Sequence, residues 1–459
     1  MNPLRHQLTL PRAQSGVTLM VMLIILVIGS AAIFVTLLNS SALQIGRDKI
    51  TADALAKAKE ALIGYAVTYA DTHTTTPQVN GYLPCPDDSS NGEGSSKLNC
   101  GSKNVSAIGR LPWKTLDLSP LRDGNGECLW YAVSGTYKYN PKTDLMNWDD
   151  NGLFQVLAAN NVILAGQTAD TDAVAAIFAP GVVLGNQNRS PDGTAPICGG
   201  NYTATNYLDS DATISINNAV PSNLANAISQ FFTSGATANI NDRIIYITRQ
   251  DIWNAIKNRN DFGVFINSML SSTNSSSPVS CLSFAYQQWQ QNQQWQQNQQ
   301  NFQNLYWPKT INFNNSPPTE TAGIIKNNLI IGRVPKLCLA SPLDNWQDNL
   351  LYAACSNGSN CITLNDNNNC NNNQNNNCNN NQNNNGSSCS AIIIFSGERT
   401  VSQIRNTNTD KNNWSNYLED NPSANLFTFT PFTTGSTSFS GASSYANTAP
   451  SADIVACIP

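Results

Sequence analysis

From Ala13 to Gly46 the chain carries no charged residue, and Val17–Leu38 is a nearly unbroken apolar run. As a helix this run rises about 33 Å, enough to cross a hydrocarbon core of about 30 Å. Arg5 and Arg12 precede it, which predicts that residues 1–16 stay cytoplasmic and the rest is exported. The run exceeds the roughly 7–15 apolar residues of a secretory signal peptide, and no small-x-small cleavage site follows it. A plain membrane anchor is the simpler alternative. The helical pattern, however, continues beyond the apolar run. Leu43, Ile50, Ala54, Ala58, Leu62, Tyr65 and Tyr69 recur at spacings of three, four and seven, a stripe down one helix face. The spacing predicts one helix over Val17–Ala70, about 80 Å long. Its first half would sit in lipid or in a helical bundle, and its second half against a globular body.

The remainder of the chain narrows the function classes. At 459 residues it has room for two or three domains of roughly 150 residues. Charged residues make up 12%, about half the ~25% of an ordinary soluble domain. Asn, Gln, Ser and Thr take their place, as on a neutral polar surface facing outward. Lys+Arg 25 against Asp+Glu 30 gives a net charge of −5 with no long basic run, so a nucleic-acid partner has no electrostatic footprint. Only His6 and His73 are present, which excludes His-rich metal sites and argues against His-based catalysis. The 12 cysteines form no C-x-x-C pair. That removes the usual zinc and thioredoxin-like readings and leaves disulfides in an oxidising compartment.

Gly16-Val17-Thr18-Leu19, after a basic leader and before an uninterrupted apolar helix, resembles the prepilin signature of type IV pilins and type II secretion pseudopilins. The resemblance implies that a prepilin peptidase cuts between Gly16 and Val17 and that Val17 is then N-methylated. It also implies other pilins or pseudopilins as partners through the helix. The implied location is the inner membrane of a Gram-negative bacterium, with the exported region in the periplasm or at the cell surface. Two positions depart from the family pattern. Val17 replaces the usual aromatic first residue. Val21 stands at the fifth mature position, where most pilins carry a glutamate that pairs with a neighbour's N-terminal amine. The second departure points to a minor, tip-located subunit rather than a major one.

Beyond the helix, turn clusters punctuate short apolar stretches such as 129–133 and 243–248, which reads as β-rich. Four segments recur in the same order. Gly109-Arg110-Leu111-Pro112 is echoed by Gly332-Arg333-Val334-Pro335, and Leu129-Trp130-Tyr131-Ala132 by Leu350-Leu351-Tyr352-Ala353. Ala176-Ile177-Phe178 parallels Ile393-Ile394-Phe395, and Asn206-Tyr207-Leu208-Asp209 parallels Asn416-Tyr417-Leu418-Glu419. The expected fold is α+β: a long N-terminal helix, transmembrane over 17–38, followed by two β-rich pilin-like units from an internal duplication. The expected divisions are a leader at 1–16, the helix at 17–70, a first unit at 71–262, a Gln-rich linker at 263–310 and a second unit at 311–459. An Asn-rich insertion at 364–385 interrupts the second unit. Low-complexity segments of this kind bury too little apolar surface to order themselves.

Site candidates are few. Asp87 and Asn91 lie in a polar loop bracketed by Cys85 and Cys100, and Asp123, Asn125 and Glu127 form a second acidic turn. Calcium is the only cofactor either could hold. Leu98 stands where the first loop would need a bidentate glutamate, so the EF-hand pattern fails and a plain turn is the better reading of both. No spacing singles out a carboxylate pair, a nucleophile or a phosphate loop. Cys85–Cys100 and Cys355–Cys361 are the expected disulfides, each closing a short turn-rich loop. Partners for Cys370, Cys378 and Cys389 cannot be assigned from spacing. The chain therefore reads as a non-enzymatic minor pilin or pseudopilin. A tethered adhesin with an unprocessed leader is the second reading, and a surface hydrolase the third.

Overall fold

α1 runs from Ser15 to Val67 without a proline, and a short turn, α2 (Tyr69–Thr72), continues it. The computed structural model describes residues 15–74, 78–235, 237–291, 305–357, 360–366 and 387–459. Most of the 1–16 leader therefore lies outside the described residues. Among the described residues no helix is long and apolar enough to cross a membrane, which overturns the transmembrane segment expected over 17–38. The apolar stretch whose side chains are described, Met20–Ile28, rises only about 14 Å, against the roughly 30 Å of a hydrocarbon core. From Arg47 onward charges recur every few residues, so no later part of α1 extends the stretch. The fold is α+β with β-rich sheets.

The first unit carries β1 (Ala107–Arg110), β2 (Trp130–Val133), β3 (Phe154–Leu157), β4 (Ile163–Ala165) and β5 (Ala173–Ala179). It continues with β6 (Ser210–Asp211), β7 (Ile216–Asn217), β8 (Ser229–Phe232) and β9 (Arg243–Thr248). β1, β2, β5 and β9 pair antiparallel in that order. β3 forms a hairpin with β4 and takes β8 in parallel on its other side. Three helices follow: α3 (Arg249–Lys257), α4 (Asn260–Met269) and α5 (Pro278–Gln291).

The second unit holds β10 (Lys309–Asn312), β11 (Thr319–Ala322), β12 (Ile324–Lys326), β13 (Leu329–Arg333), β14 (Leu350–Cys355) and β15 (Ile362–Asp366). After these come β16 (Ser387–Cys389), β17 (Ala391–Phe395), β18 (Asp420–Asn421), β19 (Leu426–Phe427), β20 (Ser438–Gly441) and β21 (Ile454–Ile458). β13, β14, β17 and β21 pair antiparallel in that order. β15 forms a hairpin with β16 and takes β20 in parallel. Strand for strand, this repeats β1-β2-β5-β9 and β4-β3-β8. The Asn-rich insertion falls in the β15–β16 connection, whose residues 367–386 lie outside the described residues.

The weak alternation of the strand sequences has a structural cause. β5 and β14 are buried along their whole length, so neither face calls for polar residues. On one face, Tyr131, Ile177, Tyr352 and Phe395 join a single apolar core with residues of α1, α3, α4 and α5. On the other, Trp130 and Phe178 pack over Tyr207, and Leu351 and Ile394 over Tyr417.

The 263–310 linker is corrected in the same way. Its first part is α4 and α5, and α5 buries Val279, Leu282 and Tyr286 and lies against β21 as α1 lies against β9. Both units close on one core and are not beads on a string. The Gln-rich residues 292–304, Trp295 among them, lie outside the described residues.

Candidate functional site

The two halves of α1 meet opposite environments. Ala54, Leu55, Ala58, Leu62 and Ala66 are buried at spacings that keep them on one face. The alanines let the helix backbone approach the sheet closely. Charged groups fix the seat: Lys59 pairs with Asp251 at 3.0 Å and Arg243 with Asp48 at 2.7 Å. At the C-terminal end the Arg259 guanidinium donates to the Val67 carbonyl at 2.6 Å and pairs with Asp71 at 2.7 Å, a cation placed where a helix end is negative. His73 stacks on Tyr69 with ring centroids 4.1 Å apart, so this histidine closes the end of the helix structurally.

Toward the N-terminus the helix leaves the body. Ile50 and Leu43, which the stripe had placed inward, are exposed, as is Ile45 between them. Met20–Ile28 is apolar on every side, and each of its side chains is about half exposed or more, from Val21 at 49% to Leu26 at 72%. A helix that is hydrophobic all round is one that something else covers, and a contiguous exposed apolar surface marks an interaction site. Gly16 and Val17, the expected cleavage residues, lie in the first turn of this same helix.

The acidic loops are organised by the chain itself. The Asp87 carboxylate accepts from the backbone of Ser89 and Gly94 and from the Tyr202 hydroxyl, all at 2.7–2.8 Å. Burial raises its pKa in spite of these donors. Asn91 donates to the Ser96 carbonyl. Asp123 accepts from the backbone of Asn125, Glu127 and Gly181 at 2.8–3.0 Å, and Glu127 pairs with Arg189 at 3.3 Å. No group of three or more acidic, Cys or His side chains able to hold a metal occurs among the described residues.

The second of these turns has a role that residue spacing did not reveal. Gly124 donates to the Thr51 hydroxyl at 2.9 Å. A methyl group at Gly124 would run into the Arg47 carbonyl, so the turn is a seat for α1. Only the helix passing overhead defines that requirement, so nothing local to the turn announces it.

Cys85–Cys100 and Cys355–Cys361 are disulfides, as expected, and Cys128–Cys198, Cys281–Cys338 and Cys389–Cys457 are three more. Cys370 and Cys378 lie outside the described residues. The repeated motifs also yield a constellation whose role was not foreseen. Tyr207 lies between Arg110 and Arg189, with ring-to-guanidinium distances of 5.0 and 5.1 Å. Tyr417 lies between Arg333 and Arg405 at 4.4 and 4.3 Å. Both sandwiches are interior and hold each unit's outer layer on its sheet. The signal for them was the repeated Gly-Arg and Asn-Tyr-Leu segments.

Comparison of the chain with protein-family models, curated proteins and solved structures gives no match.

Proposed function

We propose that this chain is a non-enzymatic minor pilin or pseudopilin, a structural subunit of a type IV pilus or type II secretion filament, cut by a prepilin peptidase between Gly16 and Val17. The observation that carries the reading is the division of α1. Its second half is a component of the globular core, and its described first half is an apolar rod with all large side chains exposed. Packing that rod among the helices of other subunits removes its apolar surface from water, at about 25 cal/mol per Å². The five disulfides among the described residues suit a body that works in an oxidising compartment. Val21 offers no carboxylate to a neighbour's N-terminal amine, and an unpaired buried charge costs several kcal/mol. The subunit therefore belongs at low copy at or near a filament tip, where no neighbour requires that partner.

The test is N-terminal sequencing and intact mass of the protein isolated from cells with a working prepilin peptidase. The mature chain should begin at Val17 and carry a methyl group. Loss of Arg5 and Arg12 then leaves Lys+Arg 23 against Asp+Glu 30, a net charge of −7. A chain that still begins at Met1 overturns the reading. Immunogold labelling along the whole filament shaft overturns the tip assignment alone.

A further inference from the structure

A cleft of about 520 Å³ opens where residues 143–153 of the first unit face 405–411 of the second, a size within the roughly 300–1,000 Å³ of small-molecule sites. Its walls carry side-chain amides and hydroxyls from both halves of the chain, among them Thr143, Asn226, Asn314 and Asn408.

Two carboxyls in it are short of partners. Asp172 is 7% exposed, lines the cleft, and receives no hydrogen bond or ion pair among the described residues. Asp150 accepts a single long bond from the Asn147 backbone at 3.4 Å. Of the three carboxyls, Asp149 has an oxygen that is fully buried without a partner. Leaving such a buried oxygen unpaired costs about 1–3 kcal/mol, and a ligand donor in the cleft would offset it.

The surrounding charges select the ligand class. Arg405 is committed to Asp149 at 2.9 Å, Lys411 to Asp348 at 3.3 Å, and Lys103 to Asp144, so none is available to hold an anion. Burial raises Asp150 to about 7 and Asp172 to about 6, so both retain protons in weakly acidic surroundings and can donate as well as accept. A site with amides, hydroxyls and protonated carboxyls, and no uncommitted cation, matches a ligand rich in hydroxyls and without charge.

We propose that the cleft between the two units binds a neutral oligosaccharide, with the Asp172 carboxyl as its buried polar contact, the half-buried Asp150 carboxyl beside it, and the amides and hydroxyls of both units along its walls. The proposal does not depend on the role of α1.

The test is to screen the purified full-length chain against an array of neutral, acidic and aminated oligosaccharides, with spermidine as a cationic probe, and to titrate the best ligand. Saturable binding to a neutral glycan is expected. Asp172→Ala and Asn408→Trp should each weaken it by roughly tenfold or more, and Asp172→Asn should keep it within about threefold. Asn408 is exposed on the rim, so its variant decides the matter even where Asp172→Ala fails to fold. An array without a neutral ligand, a preference for acidic glycans or spermidine, or an Asn408→Trp variant with unchanged affinity overturns the proposal.

Discussion

Asp242 and Asp453 occupy equivalent places, each just ahead of the last strand of its unit. The Asp209 backbone donates to Asp242 at 2.7 Å, and the Glu419 backbone donates to Asp453 at 3.1 Å. Asn218 donates to the first carboxyl and Thr428 to the second. Burial raises both, Asp453 to about 7, and does the same to Asp150. These groups keep protons in the fold that the unfolded chain releases near 3.8. Below that pH both states are protonated and the contribution to stability is complete. Between about pH 4 and 7 the folded state binds more protons, so stability falls as pH rises through the window. The expected result is a higher thermal midpoint at about pH 5 than at about pH 8, with a shallower slope for Asp453→Asn. Thermal scans across that range check it. A midpoint that rises over the window would show that these carboxyls ionise in the fold as they do in water.

At the scale of the element, α1 is decided by what lies against each part of it. The inward stripe Ala54, Ala58, Leu62, Tyr69 is buried as its periodicity requires. The same stripe fails at Leu43 and Ile50, because there the helix has already left the body. Removing residues 1–46 should leave the cooperative unfolding of the body intact and reduce self-association. Removing the chain through Leu62 should abolish folding, because it strips one side of the core. Circular dichroism and gel filtration of the two truncations separate these outcomes. Gly124→Ala sets a methyl group against the Arg47 backbone, so the contact cannot relax by a rotamer change. We expect a loss of about 1–3 kcal/mol in denaturant unfolding, the range for an overpacked contact.

At the scale of the whole molecule, the described parts of the two units share one apolar core. Trp148 of the first unit meets Trp346 of the second edge to face, with centroids 5.0 Å apart. Asn147 donates to Asp348 at 2.7 Å, and Asn349 returns the contact to Asp149 at 3.0 Å. The Asp149–Arg405 pair between the units has no exposed side-chain surface. Burial alone would raise Asp149, but the Arg405 and Arg399 charges hold it below the usual range. Arg405→Ala leaves that carboxylate without its partner and should cost about 3–5 kcal/mol. Calorimetry of the native chain should show one transition rather than two. A protease site engineered between residues 292 and 304 should, once cut, leave both fragments eluting as a single species even with Cys281–Cys338 reduced. Separation of the fragments would show that the shared core is weaker than its burial implies.

Local periodicity and order along the chain were enough to read the buried half of α1, the β-rich character and the recurring strand order, because each is written in spacing or repetition; the membrane span expected over 17–38 is not among the described residues. The two short-loop disulfides were legible for the same reason: their partners are near in sequence. The long-loop pairs Cys128–Cys198 and Cys389–Cys457 were not, since chain separation says nothing of which strands become neighbours. Residues 263–291 read as linker beside a Gln-rich tract, yet Leu282 and Tyr286 are core, because an apolar stripe shows its use only when a sheet lies against it. The cleft carboxyls Asp150 and Asp172 stand 22 residues apart with no motif between them. The pairing of β3 with β5 inside the first unit brings their segments side by side, and burial, which no sequence pattern records, raises their proton affinity.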